Sequence, residues 1–208
     1  MLVPEYNGSL RKHTIKMPKA IESASGIRIF GRLLKSFVFT TDVAIIRNCN
    51  ADAVIAIYPF TPQPIITHSI ITAADIPVIS GVGGGTTRGA RVIGLAIDAE
   101  QQGAMGVVVN APTSNKVIKA MRATLEVPII VTVVSENEDI GARINAGTTI
   151  LNVSAASKTP TLVAKIRTQY PDVPIIATGG NTEASIQATI DAGANAITFT
   201  PPSTAELF

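Results

Sequence analysis

Asp75-Ile-Pro-Val-Ile79, Glu126-Val-Pro-Ile-Ile130 and Asp172-Val-Pro-Ile-Ile176 are three copies of one pattern: an acid, a β-branched residue, proline, then a β-branched pair. A second kind of segment alternates with them: Ala51-Asp-Ala-Val-Ile-Ala-Ile57, Gly103-Ala-Met-Gly-Val-Val-Val109, Ala146-Gly-Thr-Thr-Ile-Leu-Asn152 and Ala192-Gly-Ala-Asn-Ala-Ile-Thr198. Alternation at this spacing marks an internal repeat of βα units. Each segment is short and nearly continuous in β-branched residues, as expected of a parallel strand covered on both faces. Proline at a strand's opening removes an N–H where its loss is tolerated.

The gaps read as helices. Residues 115–125 put Val117, Ile118, Met121 and Leu125 on one side, and 182–192 do the same with Ile186 and Ile190 before Gly193, a natural C-cap. Residues 161–170 continue the pattern until Pro171 stops it. Strands are expected near 36–41, 53–58, 76–81, 106–111, 128–134, 149–154, 174–178 and 195–200. Alternating βα units call for a parallel sheet with right-handed crossovers. Eight strands joined by short linkers predict one closed (β/α)8 barrel, an α/β fold, over residues 1–208, with an open flavodoxin-like sheet as the alternative. Ile27-Arg-Ile-Phe30 and Ser36-Phe-Val-Phe39, flanking Gly31-Arg32, suggest a hairpin leading into the first strand. The rest of 1–35 reads as a solvated arm at the barrel base, and the last helix is reduced to a stub over 203–208.

Composition sets further bounds. Of the 208 residues, 46% are apolar and only 15% charged, which excludes a disordered tail. Aromatics are 4% and Trp is absent, so the core must be aliphatic. The lone Cys49 permits no internal disulfide, which fits a reducing compartment and a cytoplasmic protein. No apolar stretch reaches signal-peptide or membrane-span length, so no membrane partner is expected. The net charge of +2 is uneven. Arg11, Lys12, Lys16, Lys19, Arg28, Arg32 and Lys35 face only Glu5 and Glu22 in the first 35 residues. That leader lacks interleaved aromatics and any nucleic-acid motif, so nucleic acid is not the expected partner. Apolar helix positions such as Ile65, Ile66, Ile70 and Ile71 suggest a homo-oligomer.

In such barrels the site forms at the carboxyl ends of the strands. The segments there are rich in Gly, Thr, Ser and Asn and poor in charge, which suits hydrogen bonding to a small anionic metabolite. Thr178-Gly179-Gly180-Asn181 and Thr200 to Ser203, after the last two strands, are where barrels of this kind hold phosphate against a short helix. The bland alternative is a tight turn before a helix capped by Asn181 or Thr182. Gly83-Gly84-Gly85, with Arg88 behind them, form a second glycine run that is either a lid around a ligand or a mobile connector. It lacks the ending of a P-loop. Asn110 and Asn152 are neutral hydrogen-bonders at strand ends. Candidates for proton transfer are Asp42, Glu136 and Lys158, and each has a plain reading too: a helix cap, a first-turn carboxylate, a solvated amine. No spacing of His, Cys or Asp suggests a metal, and no cofactor is expected.

The stretch Val173-Pro-Ile-Ile-Ala-Thr-Gly-Gly-Asn-Thr182 followed by Ala192-Gly-Ala-Asn-Ala-Ile-Thr198 resembles the seventh and eighth strands of the aldolase-type, ribulose-phosphate-binding barrels. These include the 2-keto-3-deoxy-6-phosphogluconate aldolases, the sugar-phosphate epimerases and, more loosely, the glycerol-responsive antiterminator barrels. The resemblance implies an anion held by Gly179, Gly180 and the residues after the last strand, and an enzyme of lyase or isomerase type. The residues depart from the pattern at two points. The sixth strand, Thr149-Ile-Leu-Asn-Val-Ser154, carries no Schiff-base lysine, and the paired His and Asp of the metal-dependent epimerases are missing. A hydrolase in which Asp42 or Glu136 activates water, and a ligand-sensing barrel without turnover, remain as alternatives.

Overall fold

Both kinds of repeated segment become strands. The computed structural model describes residues 3, 4, 6, 8, 9 and 13–208. A small antiparallel pair, β1 (Ile27–Ile29) and β2 (Arg32–Leu34), comes first. Then follow β3 (Ser36–Phe39), β4 (Ala53–Ala56), β5 (Val78–Gly83), β6 (Gly106–Val109), β7 (Ile129–Val133), β8 (Ile150–Val153), β9 (Ile175–Thr178) and β10 (Ala196–Phe199). Each of these pairs in parallel with the next, and β10 returns to β3, so the sheet closes as a barrel and the open-sheet alternative is excluded. Among the described residues the crossovers hold α1 (Val43–Arg47), α2 (Pro64–Ala73), α3 (Ala90–Gln101), α4 (Asn115–Arg122), α5 (Ile140–Asn145), α6 (Thr159–Gln169) and α7 (Glu183–Asp191). No helix among the described residues is long and apolar enough to cross a membrane.

Strand register sorts the inward side chains into layers drawn from alternate strands. Ala53, Gly106, Ile150 and Ala196 lie at the base, and Phe37, Ile79, Ile130 and Ile176 fill the layer above. Both layers are apolar, and Ile27, Ile29 and Leu34 of the β1–β2 pair close them from below. The chemistry changes in the third layer. Ile55 and Val108 there face Asn152 and Thr198 across the lumen, and Phe39, Gly81, Thr132 and Thr178 come next.

Three polar side chains just before alternate strands clamp the base in the same way. Asp52 accepts from the Ser36 and Lys35 amides (2.9 and 2.8 Å), Thr149 from the Ile129 amide (2.8 Å), and Asn195 from the Ile175 amide (2.9 Å). Each satisfies an amide at or beside the start of the preceding strand, which would otherwise be left unpaired.

Two sequence expectations need correction. The hairpin's second arm is Arg32–Leu34, not the Ser36–Phe39 segment, because Phe30 and Gly31 both adopt positive φ (45° and 83°). Such a two-residue turn pairs Ile29 directly with Arg32, freeing Ser36 to begin the barrel. Nor is the leader a solvated arm. Arg11 and Lys12 lie outside the described residues, but Ile15 bridges to Cys49, and the 3-10 turn Lys19–Ser23 packs against α7. Its Ile21 is 3% exposed and joins Ile186 and Ile197 in the outer core. Glu183 accepts from the Lys19 and Ala20 amides (2.9 and 2.7 Å), fixing the segment. The C-terminal stub is a single 3-10 turn, Thr204–Glu206, so residues 15–24 occupy the place of an eighth helix.

Candidate functional site

The polar residues of the lumen's third and fourth layers are confined to one side. Thr132, Asn152, Ser154, Thr178 and Thr198 all come from β7 to β10 or the ends of those strands, while β3 and β4 contribute Phe39, Ile55 and Ile57. Asn152 Nδ2 donates to Thr132 Oγ1 (3.3 Å) and Thr178 Oγ1 to Ser154 Oγ (3.2 Å). Asn152 Oδ1 and Thr198 Oγ1, on residues 7% and 5% exposed, have no protein partner. Unpaired polar atoms buried at the floor of an open mouth cost stability unless a ligand or water engages them. None of these side chains ionises.

The three candidates for proton transfer do not meet in this lumen. Asp42 caps α1, its Oδ1 accepting from the amides of Ala44 and Ile45 (2.8 and 3.2 Å), and its Oδ2 accepts from Thr204 Oγ1. The Thr204 bond, helped by the two amides, holds the Asp42 carboxyl below its ordinary value. Because the folded value is the lower one, the stability it adds is full above the unfolded pKa of about 3.9 and is lost as pH falls through the folded value. Asp42→Asn is therefore expected to flatten the acid limb of the Tm profile below about pH 4. An acid limb unchanged from the parent protein would contradict this assignment. Glu136 and Lys158 share an outer cleft of about 190 Å³, where Glu136 pairs with Lys165 at 3.5 Å. Both are exposed.

Gly83 and Gly84 are closely packed against the start of the next loop. A Cβ on Gly84 would sit 2.6 Å from the Asn110 amide nitrogen, and Gly83 accepts from that amide (3.0 Å). Gly85 has open space around it, and Arg88 turns back to donate to the Gly85 carbonyl (3.1 Å) rather than into the mouth. This loop and Asn110 border a cleft of about 250 Å³ above β4 to β6 that also includes Tyr58, Phe60 and Thr87.

A second cleft, of about 360 Å³, lies on the opposite side, between the starts of α6 and α7. Thr178, Gly179, Gly180 and Asn181 line it together with Ala156, Ser157 and Pro160. Gly179 is required by packing, since a Cβ there would meet Ile186 and Ile197 at 2.8 and 2.9 Å. Gly180 is at φ 80°, and the Gly180 and Asn181 amides donate to no acceptor among the described residues. Thr182, not Asn181, caps α7, in a capping box with Ser185. Ala156 holds φ 51°, one of two non-glycine residues in the left-handed region among those described. The Ser203 half of the expected anion cradle is already filled: the Ser203 amide and hydroxyl both donate to Glu206 (2.8 and 2.7 Å), which holds the Glu206 carboxyl below its usual range. Thr200 is exposed just past β10 and does not line the cleft.

Sequence reasoning missed Arg143. Its guanidinium donates to the Thr113 and Ala111 carbonyls and to Asn115 Oδ1 (3.0 Å), and it pairs with Glu138 (3.5 Å). Glu138 in turn accepts from the Val134 amide (2.9 Å), so two mouth loops are tied together. Arg143→Met is expected to cost about 2–3 kcal/mol, because a half-buried Glu138 loses its cation and two carbonyls lose their donor. Chemical denaturation checks this, and a loss below about 0.5 kcal/mol would place the pair with ordinary surface ion pairs.

Among solved structures the chain is similar to phosphoenolpyruvate phosphomutase from Streptomyces platensis subsp. rosaceus, at 14% identity over 81% of this chain and 77% of that one, TM-score 0.64. It is also similar to 4-hydroxy-tetrahydrodipicolinate synthase from Methylacidiphilum fumariolicum SolV, at 15% identity over 81% and 68%, TM-score 0.63. A third is thiamine phosphate pyrophosphorylase from Pyrococcus furiosus, at 18% identity over 80% and 85%, TM-score 0.62. The fold shared with these structures is the closed eight-stranded (β/α)8 barrel. At these identities the likeness concerns architecture alone. No family model and no curated protein matches the sequence. In this barrel the polar lumen-facing residue of β8 is Asn152, so the floor there offers amide and hydroxyl groups and no amine.

Proposed function

We propose that this protein is a small-molecule metabolic enzyme of lyase or isomerase type that takes an anionic metabolite at the carboxyl-end mouth of its barrel. The observation that carries the reading is the cleft where α6 and α7 begin. Two helix N-termini, the unpaired amides of Gly180 and Asn181 and the hydroxyl of Ser157 border one volume. Amide donors and helix dipoles together favour a phosphate or carboxylate. From there Thr178 leads into the lumen, where Asn152 and Thr198 offer hydrogen bonds to the neutral part of the molecule. A second reading, binding without turnover, is favoured by the uncharged lumen, since Asp42 is engaged by Thr204 and Glu136 lies outside.

Titration with inorganic phosphate tests the anion site. Ser157 is exposed, so Ser157→Asp leaves the fold intact while placing a negative charge at the cleft. Phosphate affinity is expected to fall about tenfold, by like-charge repulsion. Equal affinity in both proteins would remove the site. Detection of product from a ligand that co-purifies, identified by mass spectrometry, separates enzyme from sensor. The proposal extends to assembly as a homo-oligomer, because α2 leaves Ile65 65% exposed, although Ile70 is buried and Ile66 and Ile71 pack against the core rather than lying at the surface. Sedimentation as a 21.7 kDa monomer would contradict it.

A further inference from the structure

The hairpin at the barrel base carries more than closure of the lumen requires. Ile27, Ile29 and Leu34 turn one face of the β1–β2 pair into the core. Phe30 stands at its tip, 66% exposed, and Leu33 on the outer face is 44% exposed. Phe30 also holds φ 45°, with Gly31 following at 83°. A two-residue turn of this kind is best built from Asn-Gly or Asp-Gly, and a bulky side chain in the left-handed region is strained. Strain kept where a smaller polar residue would relieve it points to a task outside the chain's own folding.

Phe30 forms one wall of a groove of about 320 Å³. Val127, Pro128, Ile150 and Pro174 give the groove an apolar lining, and Glu126 borders it. Arg28 and Arg122 line it as well, but each already donates to a nearby carbonyl, of Gly31 (2.9 Å) and Leu125 (3.3 Å). The Glu126 carboxylate and the Arg32 guanidinium are both exposed, and neither has a partner among the described residues. Arg32 directly follows the turn, so an uncommitted cation lies beside the aromatic knob and an uncommitted anion beside the groove. Such a patch is complementary to a second copy of itself, as a two-fold interface demands.

We infer that the barrel base is a contact between two copies of this chain, in which Phe30 of each enters the groove of the other and Arg32 meets Glu126 of the partner subunit. This rests on the homo-oligomer proposed above and assigns it a contact separate from Ile65. An aromatic side chain flanked by a complementary charge pair is a combination that interface centres favour.

Sedimentation velocity of the full chain over a concentration series tests this, on the parent protein, Phe30→Asn, Arg32→Glu, Glu126→Arg and the double exchange of Arg32→Glu with Glu126→Arg. All three positions are exposed, and Asn-Gly suits the turn, so the fold is retained. Phe30→Asn is expected to weaken self-association by about tenfold or more. Each single charge reversal should weaken it about fivefold, by setting like charges against each other, and the double exchange should return it to within about twofold of the parent. A parent protein that stays monomeric overturns the homo-oligomer and this inference together. A dimer indifferent to Phe30→Asn, or one that both reversals loosen without recovery in the double exchange, overturns the base contact and leaves the homo-oligomer standing.

Discussion

Arg167→Leu is expected to lower the unfolding free energy by about 3 kcal/mol and Tm by roughly 10 °C. The side chain leaves α6 and makes five hydrogen bonds at the barrel base: to the Pro171 and Val173 carbonyls (2.6 and 2.8 Å), twice to the Gly193 carbonyl (3.2 and 2.8 Å), and to Asn195 Oδ1 (2.7 Å). Two loops, before β9 and before β10, are thereby fastened to one planar cation. Burial pulls the guanidinium below its ordinary pKa, against a smaller upward pull from Asp172. Leucine keeps the stem's apolar contacts but leaves the carbonyls without a donor. Arg167→Lys is expected to recover less than half of the loss, because an ammonium cannot reproduce the fork. Urea unfolding of the three proteins checks this, and a loss under 1 kcal/mol would show that water replaces the cation at little cost.

The second large effect belongs to Ile21. Ile21→Asp should cost about 4 kcal/mol or more, whereas Ile21→Val should cost only about 1 kcal/mol. The reason is position: Ile21 lies against Ile186 and Ile197, covering the outer face of β10 where other strands have a helix. A carboxylate there must be buried unpaired or must peel the segment away. Either outcome uncovers apolar surface, so dye binding to exposed hydrophobic groups should rise along with the fall in Tm. Near-parental stability for the Asp variant would mean that the leader is an ornament and not part of the outer layer.

Much of the barrel was legible because its information is local. Runs such as Ile129 to Val133 and Ile150 to Val153 are buried on both faces, and a strand of that kind announces itself by β-branched density alone. Asp42 reads as a cap from its own position and proves to be one, and Gly193 proves to end α7 at φ 109°. The Ser203-Thr-Ala-Glu206 spacing carries the signature of a capping box, and that box takes Ser203 out of the anion cradle. Other features depend on register or on distant partners. Lys19–Ser23 has a single buried apolar residue, too little for a periodicity, and its value lies in Glu183, far along the chain. That Thr198 and Asn152 share a layer follows only once β8, β9 and β10 are paired residue by residue. Arg143 has the same blind spot, since its acceptors lie about thirty residues upstream.

The leader's position has a consequence for biosynthesis. Ile15 to Ala24 leave the ribosome well before β10, the surface they shield. Throughout elongation the nascent polypeptide must carry these early residues without their destination, and the ring cannot seal until its final stave is delivered. Assembly is thus committed late and all at once, and a chain stalled before residue 196 would present its adhesive seam to the quality-control machinery.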